Sequence, residues 1–289
     1  MRIVRVFLCT CVRGSRLKIV QRAILLREMS TDQSDWKNSG INVESLWLID
    51  SRDKSGKHAN VYHGNFIPQI PHQLICRYTK ENNTVLDLFM GSGTTLFECE
   101  TLHRNFIGFD INQNIIDYVE SKMSDDSDIK FSINNCDVTD TTKFDLHMQQ
   151  SLQKINATQV DFIIAHPPYL DIVKFTNDPR DLSQISDVVM FVEKFILLLH
   201  NAWRYLAPRK YFALVIGDVY KNSEVIPLGF KLMDAIKQNF SVKLKGIVVK
   251  NIAGNRGKLG VQDIWHYRAL KSDYYIFKHE YIFIFKKES

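Results

Sequence analysis

The run Thr84-Val85-Leu86-Asp87-Leu88-Phe89-Met90-Gly91-Ser92-Gly93-Thr94-Thr95 constrains the fold of this chain more than any other. Its first half is short, apolar and rich in β-formers, which predicts a buried strand. Gly91 and Gly93 then supply residues that adopt positive φ and let backbone approach a ligand closely. From Thr94 the apolar spacing turns helical, through Leu96, Phe97 and Leu102. A strand, a glycine turn and a helix in this order open a doubly wound sheet. Glycine turns also recur in unrelated settings, so the rest of the chain must decide.

Three features narrow the ligand. No Gly-Lys-Ser/Thr follows the turn, which argues against a phosphate-cradling loop, and the full G-x-G-x-x-G of a nicotinamide site is missing. A second predicted strand, Asn105 to Phe109, ends at Asp110, where a carboxylate can grip ribose hydroxyls. A third, Lys130 to Ile133, leads to Asn135-Cys136-Asp137, and the Asp137 carboxylate can meet an adenine amino group. A ligand with adenosine and no phosphates suits this set, and S-adenosylmethionine is one.

Further along, Gln159 to Ala165 predicts a buried strand running into His166-Pro167-Pro168-Tyr169. Two prolines remove two backbone donors and fix two φ angles. The result is a stiff step that presents carbonyl oxygens, which accept a hydrogen bond from an exocyclic NH2. Tyr169 adds a flat face for a base. A plain Pro-Pro turn is the competing reading, and it weakens once the glycine turn lies upstream in the same sheet.

With both motifs in order, the chain resembles the DNA amino-methyltransferases that modify adenine-N6 or cytosine-N4. Asp87, Phe89, Gly91, Gly93 and Thr94 match that family's cofactor motif, and Pro167, Pro168 and Tyr169 its target-amine motif. His63 to Pro71, with Asn65 and Pro68, resembles the segment that closes over the methionine end of the cofactor. The resemblance runs from about residue 45 to 287. It implies a Rossmann-like α/β fold, S-adenosylmethionine as cofactor, double-stranded DNA as substrate and, in the cell, a restriction endonuclease as a candidate partner. His166 departs from the family pattern, which has Asp, Asn or Ser there. Neutral imidazole can accept a hydrogen bond and imidazolium cannot. The departure leaves adenine versus cytosine open, and also an inactive nucleic-acid-binding homologue. RNA amino-methylation and glutamine methylation of protein are rival activities.

The implied chemistry places the target nucleotide, out of its stack, beside Tyr169. His166 and the Pro167 carbonyl hold its amine for in-line attack on the methyl, without metal or covalent intermediate. An unperturbed histidine titrates near ~6.5, so the sequence predicts an acid limb there. It also predicts that a bulky residue at Gly93 blocks the cofactor and spares the fold.

A chain of 289 residues, 45% hydrophobic, can build a substantial α/β core. The formal charge of +5 permits nucleic-acid binding without requiring it. The five cysteines, Cys9, Cys11, Cys76, Cys99 and Cys136, form no CxxC pair and suit a reduced, cytoplasmic protein without zinc. No apolar run is long enough for a bilayer. Residues 1–40 read as an extension or a start misassigned upstream of Met29, and 41–289 as one methyltransferase domain. Expected elements are a helix over 69–80, a helix from Asp187 to Leu206, a strand over 211–216, a helix over 228–239, and two β-rich runs, 241–250 and 274–286, paired antiparallel at the sheet edge.

Two segments are candidates for substrate contact. Asp171 to Ser186, with Lys174 and Arg180, is expected to be a mobile loop over the base. Residues 252–273, with Arg256, Lys258 and Arg268, interleave basic and aromatic residues, and from Ser241 to Ser289 ten Lys/Arg face four Asp/Glu. Such a pattern suits phosphate contact and base stacking; a solvated hairpin connection is the alternative.

Overall fold

A computed structural model describes residues 39–58, 64–124, 126–252 and 262–289. By its contacts the chain divides into Met1–Ile41 and Asn42–Ser289. The second unit is an α/β protein built on a mostly parallel sheet. In chain order its elements are β1 (Leu46–Trp47), α1 (Gln69–Tyr78), β2 (Thr84–Asp87), α2 (Thr94–Thr101), β3 (Asn105–Asp110), α3 (Gln113–Glu120), β4 (Phe131–Asn135), α4 (Thr141–Ile155) and β5 (Val160–Ala165). After a short 3-10 turn at Leu182–Gln184 come α5 (Val188–Trp203), β6 (Leu206–Ile216), β7 (Val219–Lys221), β8 (Glu224–Ile226), α6 (Leu228–Asn239), β9 (Val242–Asn251), α7 (Gln262–Lys271) and β10 (His279–Lys287).

The eight strands of the sheet lie in the order β1-β9-β10-β6-β5-β2-β3-β4, with β7 and β8 forming a separate hairpin. β2 pairs in parallel with both β3 and β5, so the strand order reverses beside it. In open α/β sheets that reversal opens a crevice at the carboxyl ends of the strands. Both the glycine turn and the Pro-Pro step leave the sheet there.

Side chains alternate along each strand, so each strand feeds two cores. On one face Leu86, Ile163 and Leu214 pack with Phe144 and Met148 of α4, Phe195 and Leu199 of α5, and Leu232 of α6. On the other Val85, Phe162 and Val215 pack with Ile70 and Leu74 of α1, Leu96 and Phe97 of α2, and Val119 of α3. Each large side chain so buried contributes roughly 1.5–3 kcal/mol. Caps set where helices begin: Asn112, Asp140 and Asp187 accept from the backbone N–H of Asn114, Lys143 and Met190.

Several boundaries differ from the sequence reading. The helix opened by Asp187 ends at Trp203, and the next strand starts at Leu206 and runs past Pro208. The proline is tolerated because the β5–β6 register shifts between Val160 and Phe162, leaving Ala207 to Lys210 outside the regular ladder. The final β-run begins at His279, and β9 and β10 pair antiparallel. The sheet edge beyond them is β1, two residues long and parallel to β9, which no local pattern announces.

Among the described residues no helix is long and apolar enough to cross a membrane, and no cluster of three metal-ligating side chains forms.

Candidate active site

The glycine turn is built around two carboxylates. Asp87, the last residue of β2, is buried; its Oδ1 accepts the Phe89 N–H at 3.0 Å and its Oδ2 the Thr95 hydroxyl at 2.6 Å. Asp110, the last residue of β3, accepts the Gly91 N–H at 2.8 Å and the Asn112 N–H at 2.9 Å. Burial pushes the Asp87 carboxyl up to about 6, and burial also raises Asp110. Gly91 and Gly93 have φ of 52° and 81°, a region costly for residues with a Cβ.

A cavity of about 570 Å³ lies over these strand ends, within the usual range for small-molecule sites. Its wall includes Asn65, Phe66, Phe89, Gly91, Asp110, Asp137, His166, Pro167, Pro168 and Tyr169. The two motifs of the sequence, some seventy residues apart, therefore face one space. Asn65 is tied through its side-chain amide to the Ser92 hydroxyl inside the turn. Asp137 is held by Thr139, whose N–H and hydroxyl both donate to its Oδ1.

Four of the cofactor candidates stand off this wall. Asp87 points into the turn it braces. Gly93 and Thr94 begin α2, and a Cβ on Gly93 would lie 2.9 Å from Val119 and 3.1 Å from Phe97. A larger residue at Gly93 thus collides with the core between α2 and α3, correcting the expectation that it would spare the fold. Pro68 serves as the residue before α1. His63 lies outside the described residues.

At the Pro-Pro step, His166 Nε2 is 3.2 Å from Tyr169 Oη, and Tyr169 donates to Glu280 Oε2 at 3.0 Å. Lys250 Nζ reaches Glu280 Oε1 at 3.0 Å. The Phe66 ring lies against His166 at 5.0 Å. Burial lowers the His166 pKa to about 4, with Glu280 raising and Lys250 lowering it, and burial holds the Tyr169 phenol well above its ordinary value. His166 is thus neutral at neutral pH, which corrects the expected acid limb near 6.5.

Lys250, Glu280 and Arg52 line the cavity and were missed by sequence reasoning. The signal was present in part: Glu280 extends the inward row Ile284, Ile282 of β10, a charge at an apolar position of a strand.

The segment after the Pro-Pro step is tied down by its own bonds. Phe175 N–H donates to Ser183 Oγ, and the Thr176 N–H and hydroxyl donate to Asp181. Lys174 is exposed, between the cavity-lining Val173 and Phe175. Arg180 reaches the cavity wall already paired with Asp178 at 2.6 Å. Arg268 is exposed on α7 with its guanidinium 5.5 Å from the Trp265 ring centroid. This helix lies in the connection between the antiparallel strands β9 and β10 and is mostly exposed; Arg256 and Lys258 lie outside the described residues.

Residues 16–121 match the family described as DNA methylase, of the N6/N4 type. Over these residues the chain is similar to DNA methylases of that type. Type II methyltransferase M.BglI of Bacillus subtilis is 32% identical over 133 residues, covering 43% of this chain and 34% of that protein. Type II methyltransferase M2.LlaDCHI of Lactococcus lactis subsp. cremoris is 31% identical over 87 residues, 30% of this chain and 32% of that one. These matches span about a third of either relative's length. Among solved structures, TrmN from Thermus thermophilus superposes with a TM-score of 0.49 at 18% identity, over 78% of this chain and 50% of that one.

Proposed function

We propose that this chain transfers a methyl group from S-adenosylmethionine to the exocyclic amino nitrogen of adenine or cytosine in double-stranded DNA. The observation that carries the reading is the meeting of the glycine turn and the His-Pro-Pro-Tyr step on one cavity, at the ends of the adjacent parallel strands β2 and β5. The chemistry of the turn suits this cofactor. In phosphate-binding folds the backbone N–H groups here point at an anion; in this chain the Gly91 N–H is taken by Asp110. Two carboxylates at this point repel phosphate and favour a cation. When bound, S-adenosylmethionine supplies an electrophilic methyl on a positively charged sulfur.

The chain's own residues would do the rest. Asp110, with lone pairs left after its two backbone bonds, is suited to the ribose hydroxyls, and Asp137 to the adenine amine. Asn65 and Phe66 wall the same space. His166 and the Pro167 carbonyl accept hydrogen bonds from the target amine, orienting its lone pair, and the Tyr169 ring faces the base. Positioning of this kind accounts for large rate factors without covalent catalysis. Lys174 and Arg268 are suited to DNA phosphates.

The test is incubation with labelled S-adenosylmethionine and unmodified genomic DNA, followed by mass spectrometry of the nucleosides. N6-methyladenine or N4-methylcytosine is expected. Label in RNA or in a glutamine-containing peptide instead moves the substrate, and label in none of them leaves a nucleic-acid-binding module.

A further inference from the structure

The Pro-Pro step carries more wiring than an amine acceptor needs. Lys250 and Glu280 face each other across β9 and β10 as register partners, and both are buried, at 4% and 6% exposure. A buried ion pair is a poor source of stability, since desolvation offsets most of its attraction. This one does not end in itself. The second Glu280 oxygen accepts a hydrogen bond from the Tyr169 hydroxyl, and Tyr169 Oη also meets His166 Nε2. Gly217 seats the tyrosine ring: a Cβ there would lie 2.8 Å from Tyr169 Cε2.

The proton count along this chain has one solution. Glu280, as the carboxylate of an ion pair, only accepts. Tyr169 has one O–H and directs it to Glu280 as a hydrogen bond, so its oxygen offers His166 a lone pair. The atom of His166 that faces it must carry hydrogen. A neutral imidazole has one N–H, so Nδ1 is bare. Among the described residues Nδ1 has no hydrogen-bond partner and is not one of their sealed-off polar atoms, and His166 lines the cavity.

Resting on the proposed methyl transfer, we propose that Lys250, Glu280 and Tyr169 hold His166 as its Nε2–H tautomer, so that Nδ1 is the atom that accepts the target amine. The wiring replaces what Asp or Asn supplies in the family pattern. A carboxylate or an amide has an oxygen acceptor in any case; a histidine accepts only in the correct tautomer and ring orientation. Glu280 and Lys250 are then positioning residues, acting through Tyr169.

Long-range 1H–15N correlation on the full chain reads the tautomer directly, with His166 assigned by its loss in His166→Asn. The wild type is expected to show protonated Nε2 and bare Nδ1. Tyr169→Phe keeps the ring and removes only the hydroxyl. It should move the His166 signals toward a tautomer mixture and slow single-turnover methylation about threefold to tenfold, the worth of one hydrogen bond. In the His166→Asn background, where no tautomer exists, Tyr169→Phe should cost less rate than it does in the wild type, so the two substitutions are non-additive. A wild-type Nδ1–H signal overturns the proposal, as does an equal loss in both backgrounds, which would assign the hydroxyl to packing. If no nucleic acid or peptide is methylated, the functional reading falls and with it the partner of Nδ1, while the tautomer is still read from the spectrum.

Discussion

Acidification separates the half-buried His166 from an ordinary histidine. An unperturbed imidazole with pKa near ~6.5 is only about one-tenth neutral at pH 5.5. With the pKa of His166 lowered to about 4, nearly all of it remains neutral there. The shift arises because burial disfavours imidazolium and Lys250 adds repulsion, together exceeding the attraction of Glu280. Single-turnover methylation measured from pH 8 down to 5 should therefore stay flat in the wild type, and His166→Asn should give the same profile. The linked stability has a definite sign. A depressed folded-state pKa contributes stability that is present above pH ~6.5 and is lost as pH falls through about 4. At 1.36 kcal/mol per pH unit the full effect is about 3 kcal/mol, as an upper figure because the ring borders the cavity. Denaturant unfolding at pH 7 and pH 4.5 should show wild type losing more stability than His166→Asn. A wild-type rate limb centred near 6.5 and missing in His166→Asn would refute the burial argument.

Other perturbations test the turn and the nucleic-acid face. Gly93→Ala should destabilise by about 2–4 kcal/mol in urea unfolding, combining left-handed strain with crowding against Val119 and Phe97. Asp110→Asn should weaken S-adenosylmethionine binding roughly tenfold to a hundredfold by calorimetry, since a charged acceptor at the strand end is worth about 1.5–3 kcal/mol. Arg268→Glu should weaken DNA binding and reduce its salt slope by about one phosphate contact, leaving cofactor affinity unchanged. An unchanged slope places the phosphate contact elsewhere.

Sequence alone was most informative where backbone chemistry dictates conformation. Two glycines after a β-rich run, and two prolines after another, each have few solutions, and both segments fell at the sheet's reversal. Carboxylates ending β2 and β3 were visible as residues, but their separate tasks were not. Asp87 and Asp110 look alike in a string, yet one braces Thr95 and the other faces the cavity. Local pattern reading also failed at Pro208, because the register shift that accommodates it depends on how β5 and β6 pair. Lys250 and Glu280 stand thirty residues apart and meet only through the β9–β10 ladder. No local rule connects them to a histidine between β5 and the 3-10 turn.

The two carboxylates of the turn make a prediction that distinguishes the sulfur of the cofactor from the rest of it. Asp87 is raised to about 6 by burial, with the nearby Asp110 also disfavouring its charge. A raised folded-state pKa means that the associated stability is present below pH 3.8 and is lost as pH rises through about 6. Keeping this carboxylate charged at neutral pH costs the fold about 3 kcal/mol at 1.36 kcal/mol per pH unit. A cation in the adjoining cavity would offset part of that cost by favouring the ionised form. At pH 6, where about half of Asp87 is protonated, binding of S-adenosylmethionine should release a fraction of a proton. S-adenosylhomocysteine keeps the adenosine, ammonium and carboxylate but has an uncharged sulfur, so it should release less. Calorimetry in two buffers of different ionisation enthalpy measures the difference, which should vanish at pH 8 and in Asp87→Asn. Equal release by the two ligands would show that the carboxylates answer to the amino-acid end, not to the charge that leaves with the methyl group.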